Sequence, residues 1–377
     1  MRKILFWLHL AAGVLAGLII FIMSVTGVLL MYEKQMIAWF DVRNLPAIQG
    51  SQRLPIESLL EQAKLQKGKV PASIVIAADP SVPAQLSIGR DIFYQDPSNG
   101  KIIGAANLQV RAFFRTVTDW HRWLAITGLQ RPTARAITGY ANLTFLFIVL
   151  SGIYLWLPRV WTKSNVRAIA LFKSGLSGKT RDFNWHNVLG IWTAVPLALI
   201  VASATVISFS WATNLVYTLT GTQAPPPASQ PAPAPKGAEP SIVGLNAAYE
   251  KAAATSSSWR TLTLRIPPTE ETPVSFVIDH GYAGQPQKRV SLSVDRQSAQ
   301  ILTRESFDDF NAGRQTRTWM RFVHTGEYYG LPGQTIAGIA SAAAAVLVFT
   351  GIALSLRRFS AWRARRARVE QEALVNS

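Results

Sequence analysis

Five histidines occur in the 377 residues, and four of them stand at the ends of long apolar runs. His186 lies in Asp182-Phe183-Asn184-Trp185-His186-Asn187-Val188-Leu189-Gly190, and nearly uncharged sequence follows to Trp211. His9 repeats this in Trp7-Leu8-His9, with Gly13 four residues on and apolar sequence to Met31. His121 (Asp119-Trp120-His121-Arg122-Trp123) and His324 (Val323-His324-Thr325-Gly326-Glu327) each come before a Gly and Pro break and then an apolar run. An ionisable side chain beside a membrane span is costly without a partner, so its default reading is functional. The chemistry open to such imidazoles is axial ligation of haem iron between facing helices, or a non-haem metal relay. A single histidine of this kind is more often an interfacial residue bonded to backbone. Four at matched depths weigh the other way.

The elements that must hold these residues are membrane helices. Ile4–Met31, Ile137–Leu157, Val188–Trp211 and Thr335–Leu356 are each long enough to cross a hydrocarbon layer about 30 Å thick, which takes about 20 apolar residues. At 49% hydrophobic and 16% charged, the chain is too apolar for a soluble protein and too interrupted for a purely membranous one. Arg2-Lys3 and the first run resemble a secretion signal, but the run is too long and lacks a small-residue cleavage site, so it reads as an uncleaved anchor.

The net charge of +17 does not point to nucleic acid. Arg2, Lys3, the cluster Arg159, Lys163, Arg167, Lys173, Lys179 and Arg181, and the cluster Arg357, Arg358, Arg363, Arg365, Arg366 and Arg368 all fall on one side of a four-span protein. That bias predicts a multi-pass membrane protein with both termini on the cytoplasmic side. Trp residues flank the runs on both sides, as expected at headgroup level. Cysteine is absent, which excludes disulfides, thiolate metal sites and covalent haem through Cys-x-x-Cys-His. No Gly-x-Gly-x-x-Gly or P-loop pattern occurs, so electrons for redox chemistry must come from a separate donor, a flavin reductase or a quinol.

The same pattern sets boundaries. Residues 1–32 are the first span, and 33–117 a small α+β domain outside. Residues 118–158 hold an interfacial helix (Thr118–Leu129) and the second span; 159–185 are a cytoplasmic loop. Residues 186–217 are the third span, with a kink expected at Pro196. A Pro-rich linker covers 218–240, and a second α+β domain 241–315. An interfacial segment and the fourth span cover 316–358; 359–377 are a basic tail, lying on the inner surface or solvated. In the first outer domain Leu54–Leu65 has helical spacing, and Ala72–Ala78, Ala84–Ile88 and Asp91–Gly104 read as strands. In the second, Ile242–Ala254 reads as helix and Trp259–Ile266, Val274–Asp279 and Val290–Val294 as strands.

The halves correspond. Asp96-x3-Gly100-x-Ile102 recurs as Asp295-x3-Ala299-x-Ile301, and Ser151-Gly152-Ile153 as Thr350-Gly351-Ile352, both 199 residues on. His9 and Gly13 recur as His186 and Gly190 at 177. The unit of span, outer domain, interfacial histidine and span therefore occurs twice in parallel, an internal two-fold repeat that places a site between the halves.

These motifs, with His-Thr-Gly-Glu-Tyr-Tyr-Gly-Leu-Pro-Gly at 324–333, resemble the PepSY-associated transmembrane family over essentially the whole chain. The four-span form without a fused flavin domain is similar to the iron-regulated inner-membrane ferric-siderophore reductases. The resemblance implies four membrane helices with two periplasmic PepSY-like domains, and a haem-dependent oxidoreductase releasing iron from a ferric siderophore. It implies that His9, His121, His186 and His324 ligate two b-type haems. Pairing by side of the membrane gives His9 with His186 and His121 with His324. From His9 to Met31 a helix runs about 33 Å at roughly 1.5 Å per residue, long for one electron jump, so stacked haems make sense. Ala299 departs from the family pattern at a turn and touches no ligand.

Other residues read two ways. His280, in Ile278-Asp279-His280-Gly281-Tyr282, is a solvated loop residue or a substrate contact. Glu327 is a helix start or an iron-binding group, and Glu33 is similarly ambiguous. Gly13, Gly17, Gly139, Gly152, Gly338 and Gly351 permit close helix packing, make room for a flat cofactor, or both. Arg90, Arg111, Arg115, Arg314, Arg317 and Arg321 are surface charges, with a subset able to attract haem propionates or a chelate. Two other functions remain open: a siderophore or iron transporter, although no acidic residue sits mid-span for coupling, and a non-redox binding or regulatory protein.

Overall fold

The computed structural model describes all residues except 49, 51, 159, 227–239, 268, 271, 282–283 and 376–377, so most of the Pro-rich linker, and Arg159, lie outside the described residues. The chain forms two compact units: one of residues 1–32, 113–216 and 320–377, the other of 33–112 and 217–319. In chain order the elements are α1 (Arg2–Leu30), α2 (Glu33–Val42), α3 (Ile56–Lys67), β1 (Ser73–Ala77), β2 (Ala84–Ile88), β3 (Asp91–Gln95), β4 (Ile102–Ala105), α4 (Leu108–Trp123), α5 (Arg131–Trp156) and α6 (Lys163–Ala170). They continue with α7 (Gly178–Ser208), α8 (Ser210–Leu219), α9 (Leu245–Ala254), β5 (Thr261–Arg265), β6 (Val274–Asp279), β7 (Arg289–Val294), β8 (Ile301–Ser306), α10 (Ala312–His324) and α11 (Gly330–Val375).

The first unit is a four-helix membrane bundle. α1, α5, α7 and α11 are the candidate spans, each containing a stretch long and apolar enough to cross a membrane, and the protein is a membrane protein. α1 packs against α5 and α11, and α7 against the same two, so α1 and α7 stand on one diagonal. Arg2 donates to the Leu155 and Leu157 carbonyls, tying the start of α1 to the end of α5. At the other end Gln334 donates to the Met31 carbonyl, 2.7 Å away. The bundle therefore has an Arg2 end and a Leu30 end, and its helices alternate in direction. Small residues bring them close: Ala340 and Ala344 of α11 pack with Val149 and Leu197.

Three boundaries differ from the sequence reading. α7 starts at Gly178, so His186 lies more than two turns inside the helix and Asp182 is drawn in with it. Asp182 is 2% exposed and ion-pairs with Arg181 (3.0 Å) and Arg357 (2.7 Å), so the buried carboxylate has cationic partners. The interfacial helix is longer and earlier: α4 runs Leu108–Trp123 and is stopped by Leu124 and Ala125, both left-handed at φ 51° and 58°. The basic tail continues the fourth span as one helix of 46 residues, about 69 Å at roughly 1.5 Å per residue.

The second unit is an eight-stranded antiparallel sheet in the order β4-β3-β2-β1-β5-β6-β7-β8. The two α+β segments, expected as separate domains, share this sheet. β1 and β5 pair from Ser73↔Arg265 to Ala77↔Thr261. Each half alone would leave that strand as an open edge of unpaired backbone groups, and pairing them removes both edges. α3 and α9 lie on one face, and residues of both halves make one core, including Leu59, Ile74, Leu86, Leu245, Leu264 and Phe276. The two turns match closely. Asp96 accepts from the Ser98 N–H and hydroxyl, and Asp295 does the same for Ser298. Gly100 is left-handed at φ 75°, and Ala299 takes the equivalent place at φ 54°, a conformation roughly 1 kcal/mol costlier for a residue with a Cβ.

Candidate functional site

All four membrane-end histidines lie in the bundle unit, and each has its Nδ1 held. His9 Nδ1 is 2.9 Å from Ser151 Oγ on α5, and His186 Nδ1 is 2.9 Å from Thr350 Oγ1 on α11. His121 Nδ1 is 2.9 Å from Thr26 Oγ1 on α1. His324 Nδ1 is 3.0 Å from the Ile200 carbonyl on α7, with Ser203 Oγ at 3.5 Å. The hydroxyls fix the direction of these bonds. Ser151 donates its own proton to Ile148 O, Thr350 to Val346 O and Thr26 to Ile22 O. Each is left to accept from the imidazole, as the Ile200 carbonyl must. With those hydroxyl protons engaged elsewhere, Nδ1 is placed to donate in each contact, and Nε2 makes none of these bonds. This is the arrangement in which a ring can bind a metal through Nε2 while its second nitrogen orients it.

The structure brings the four together as two pairs. His9 and His186, on the diagonal helices, line one cavity of about 820 Å³ at the Arg2 end of the bundle. Its size falls in the range of cofactor pockets, roughly 300–1,000 Å³. Gly13 and Gly190, each four residues past a histidine, open onto it. A Cβ at Gly13 would meet nothing within 4 Å, and one at Gly190 only Leu347 at 3.8 Å. The helices thus present bare backbone to a space large enough for a flat group. Gly152 and Gly351 serve the rings instead. A Cβ there would lie 3.3 Å from Cε1 of His9 and of His186, so a larger residue would push the imidazoles aside.

At the Leu30 end the His121 and His324 ring centres are 6.4 Å apart. Two imidazoles on opposite faces of one metal, with bonds of roughly 2 Å, put ring centres about 6 Å apart. Trp123 is flanked by Arg122 at 4.5 Å and Arg131 at 4.2 Å, giving this end a cationic surface. Burial first, then the neighbouring Arg135, Arg321 and Arg131, pushes the Arg122 guanidinium below its ordinary range.

Among the described residues no group of three or more His, Asp or Glu side chains converges as a metal site. The donor set is two imidazoles per site. It fits a metal that brings its own in-plane donors, which is what a porphyrin does.

The remaining candidates lie elsewhere. His280 directly follows β6 in the sheet unit, its Nδ1 3.3 Å from the Ser258 carbonyl. Glu327 is buried in the single turn Glu327–Tyr329 that leads into α11, directly after left-handed Gly326. Glu33 opens α2. Arg111 lies in the sheet unit and pairs with Asp41, which also accepts from Tyr94 Oη at 2.9 Å. The hydroxyl partners Thr26, Ser151, Ser203 and Thr350 were not singled out from sequence as site residues. The signal was present, since Ser151-Gly152 and Thr350-Gly351 stand at matching places in the two halves.

A family model described as the PepSY-associated TM region matches residues 6–358. No curated protein matches the chain.

Proposed function

We propose that this chain, which belongs to the PepSY-associated transmembrane family, is a di-haem electron conduit of the bacterial inner membrane that reduces the ferric iron of a siderophore in the periplasm. The observation that carries the reading is the shared anchoring of Nδ1. All four histidines have Nδ1 bonded to a hydroxyl or carbonyl of a neighbouring helix and Nε2 left over.

His9 and His186 would hold one b-type haem, and His121 and His324 the other. Bound haem supplies a one-electron couple at its iron. The residues around each pair set the ring orientation through Ser151, Thr350, Thr26 and Ile200, and leave space beside Gly13 and Gly190. The matching contacts of His9 with Ser151 and His186 with Thr350 support an internal two-fold repeat. The basic residues at the Arg2 end support cytoplasmic termini, with the sheet on the periplasmic side.

The overall change is one electron from a cytoplasmic or membrane donor, a flavin reductase or quinol, to one Fe(III), giving Fe(II). Oxygen-rich chelators hold Fe(II) weakly, so reduction releases the metal. Dithionite-reduced protein mixed with a ferric siderophore should reoxidise while ferrozine traps Fe(II), and His121→Ala should abolish the transfer. A His121→Ala protein reducing the chelate at the wild-type rate would remove the mechanism.

A further inference from the structure

The cavity beside His9 and His186 is strongly polarised along its length. Its mouth at the Arg2 end carries Arg2, Lys3, Lys179 and Arg358, and no Asp or Glu lines it anywhere. Its deep end is hydrocarbon, with Gly17, Ile20, Ala194 and Leu197. The cations are not equally free. Arg2 donates to the Leu155 and Leu157 carbonyls, and Arg358 lies 4.9 Å over the Phe6 ring and 4.8 Å over that of Trp7. Lys3 and Lys179 form no ion pair among the described residues. α1 and α7 both begin here, at Arg2 and Gly178, so two helix N-termini add positive potential to the same mouth. Four cations beside an apolar cavity without a single acid call for an amphiphile with an anionic end.

We infer that the occupant of this cavity is bound by its carboxylates as well as by its metal, with both propionates at the Arg2 end facing Lys3, Lys179 and Arg358 and the apolar edge of the ring turned towards the middle of the membrane. This rests on the haem reading above and adds to it a direction and three recognition residues. His9 and His186 fix where the metal sits, but a ring held by two axial bonds can turn about them. The charged mouth selects one rotation, because a carboxylate at the deep end would face hydrocarbon with no partner. The same orientation brings the edge without carboxylates towards the other histidine pair.

The test is binding and needs no turnover. Haem-free protein in detergent is titrated with ferric protoporphyrin and, separately, with its dimethyl ester, following the Soret band. The His121→Ala protein isolates the cavity, and the unsubstituted protein allows the same comparison without a variant. The diacid should bind at least tenfold more tightly than the diester. In Lys179→Gln/Arg358→Gln protein that preference should fall to within threefold, with diester affinity unchanged. Equal binding of diacid and diester would leave the haem reading standing and show the orientation to be wrong. So would a preference that survives the double substitution. Failure of both compounds to shift the Soret band would remove the haem reading and this inference together.

Discussion

The two histidine pairs are alike in how Nδ1 is anchored and unlike in what carries them. His9 and His186 stand inside membrane spans, α1 and α7, beside open space. His121 and His324 stand in the last turn of α4 and α10, the helices by which the chain returns from the sheet segments to the bundle. Both turns end sharply, at left-handed Leu124 and Ala125 in one and at Gly326 in the other. Two successive non-glycine residues in that region cost roughly 1–3 kcal/mol each, and such strain persists where surrounding structure holds it. A pair within spans is positioned by the bundle itself. A pair at the ends of connecting helices is positioned by the bonds those ends make, to Thr26 and to Ile200.

The largest expected effect separates the pairs outright. His186→Ala should lower haem from two per polypeptide to one, measured as the pyridine haemochrome after acid–acetone extraction, and leave the Leu30-end spectrum unchanged. Loss of both groups would mean that the pairs are not independent. Gly190→Phe asks whether open space defines the first pair. It should fill the cavity and weaken haem binding there more than tenfold, again without touching the second spectrum.

A finer test compares the anchors. Ser151→Ala removes the acceptor of the His9 Nδ1 proton, and loss of such an orienting partner typically costs 10–100-fold in affinity, about 1.4–2.7 kcal/mol. Ser151→Thr should restore it. Thr26→Ala should do more to the second pair than Ser151→Ala does to the first, if the α4 end depends on that bond. Equal losses would dissolve the contrast. The smallest effect lies in the sheet. Ala299→Gly should stabilise it by about 0.5–1 kcal/mol, seen as a higher urea midpoint, because Gly relieves the left-handed strain. Gly100→Ala should do the reverse and more, since its Cβ would come within 2.8 Å of Gln62 Cγ.

The histidines and the four spans were legible because each leaves a one-dimensional trace: a run of hydrocarbon, a ring type at a fixed offset from a glycine, a cluster of cations. The strands and the Asp-anchored turns were legible for the same reason. The β1–β5 pairing was not, because nothing in Ser73–Ala77 names Thr261–Arg265 as its neighbour; that choice is made by two edges seeking partners. The start of α7 was misplaced because Asp182 and Asn184 look like loop residues. They are buried, Asp182 against Arg357 and Asn184 against the Lys173 N–H and Leu171 carbonyl. The hydroxyl anchors were visible as a recurrence, but their role needs the third dimension, since Ser151 is 142 residues from His9.

The shared sheet has a mechanical consequence. Spans α1 and α5 are linked through β1–β4, and spans α7 and α11 through β5–β8, so the ladder between β1 and β5 ties one half of the chain to the other. Pulling the two α+β segments apart would break the five-residue ladder from Ser73↔Arg265 to Ala77↔Thr261 and divide one apolar core, so they hold and lose their structure together.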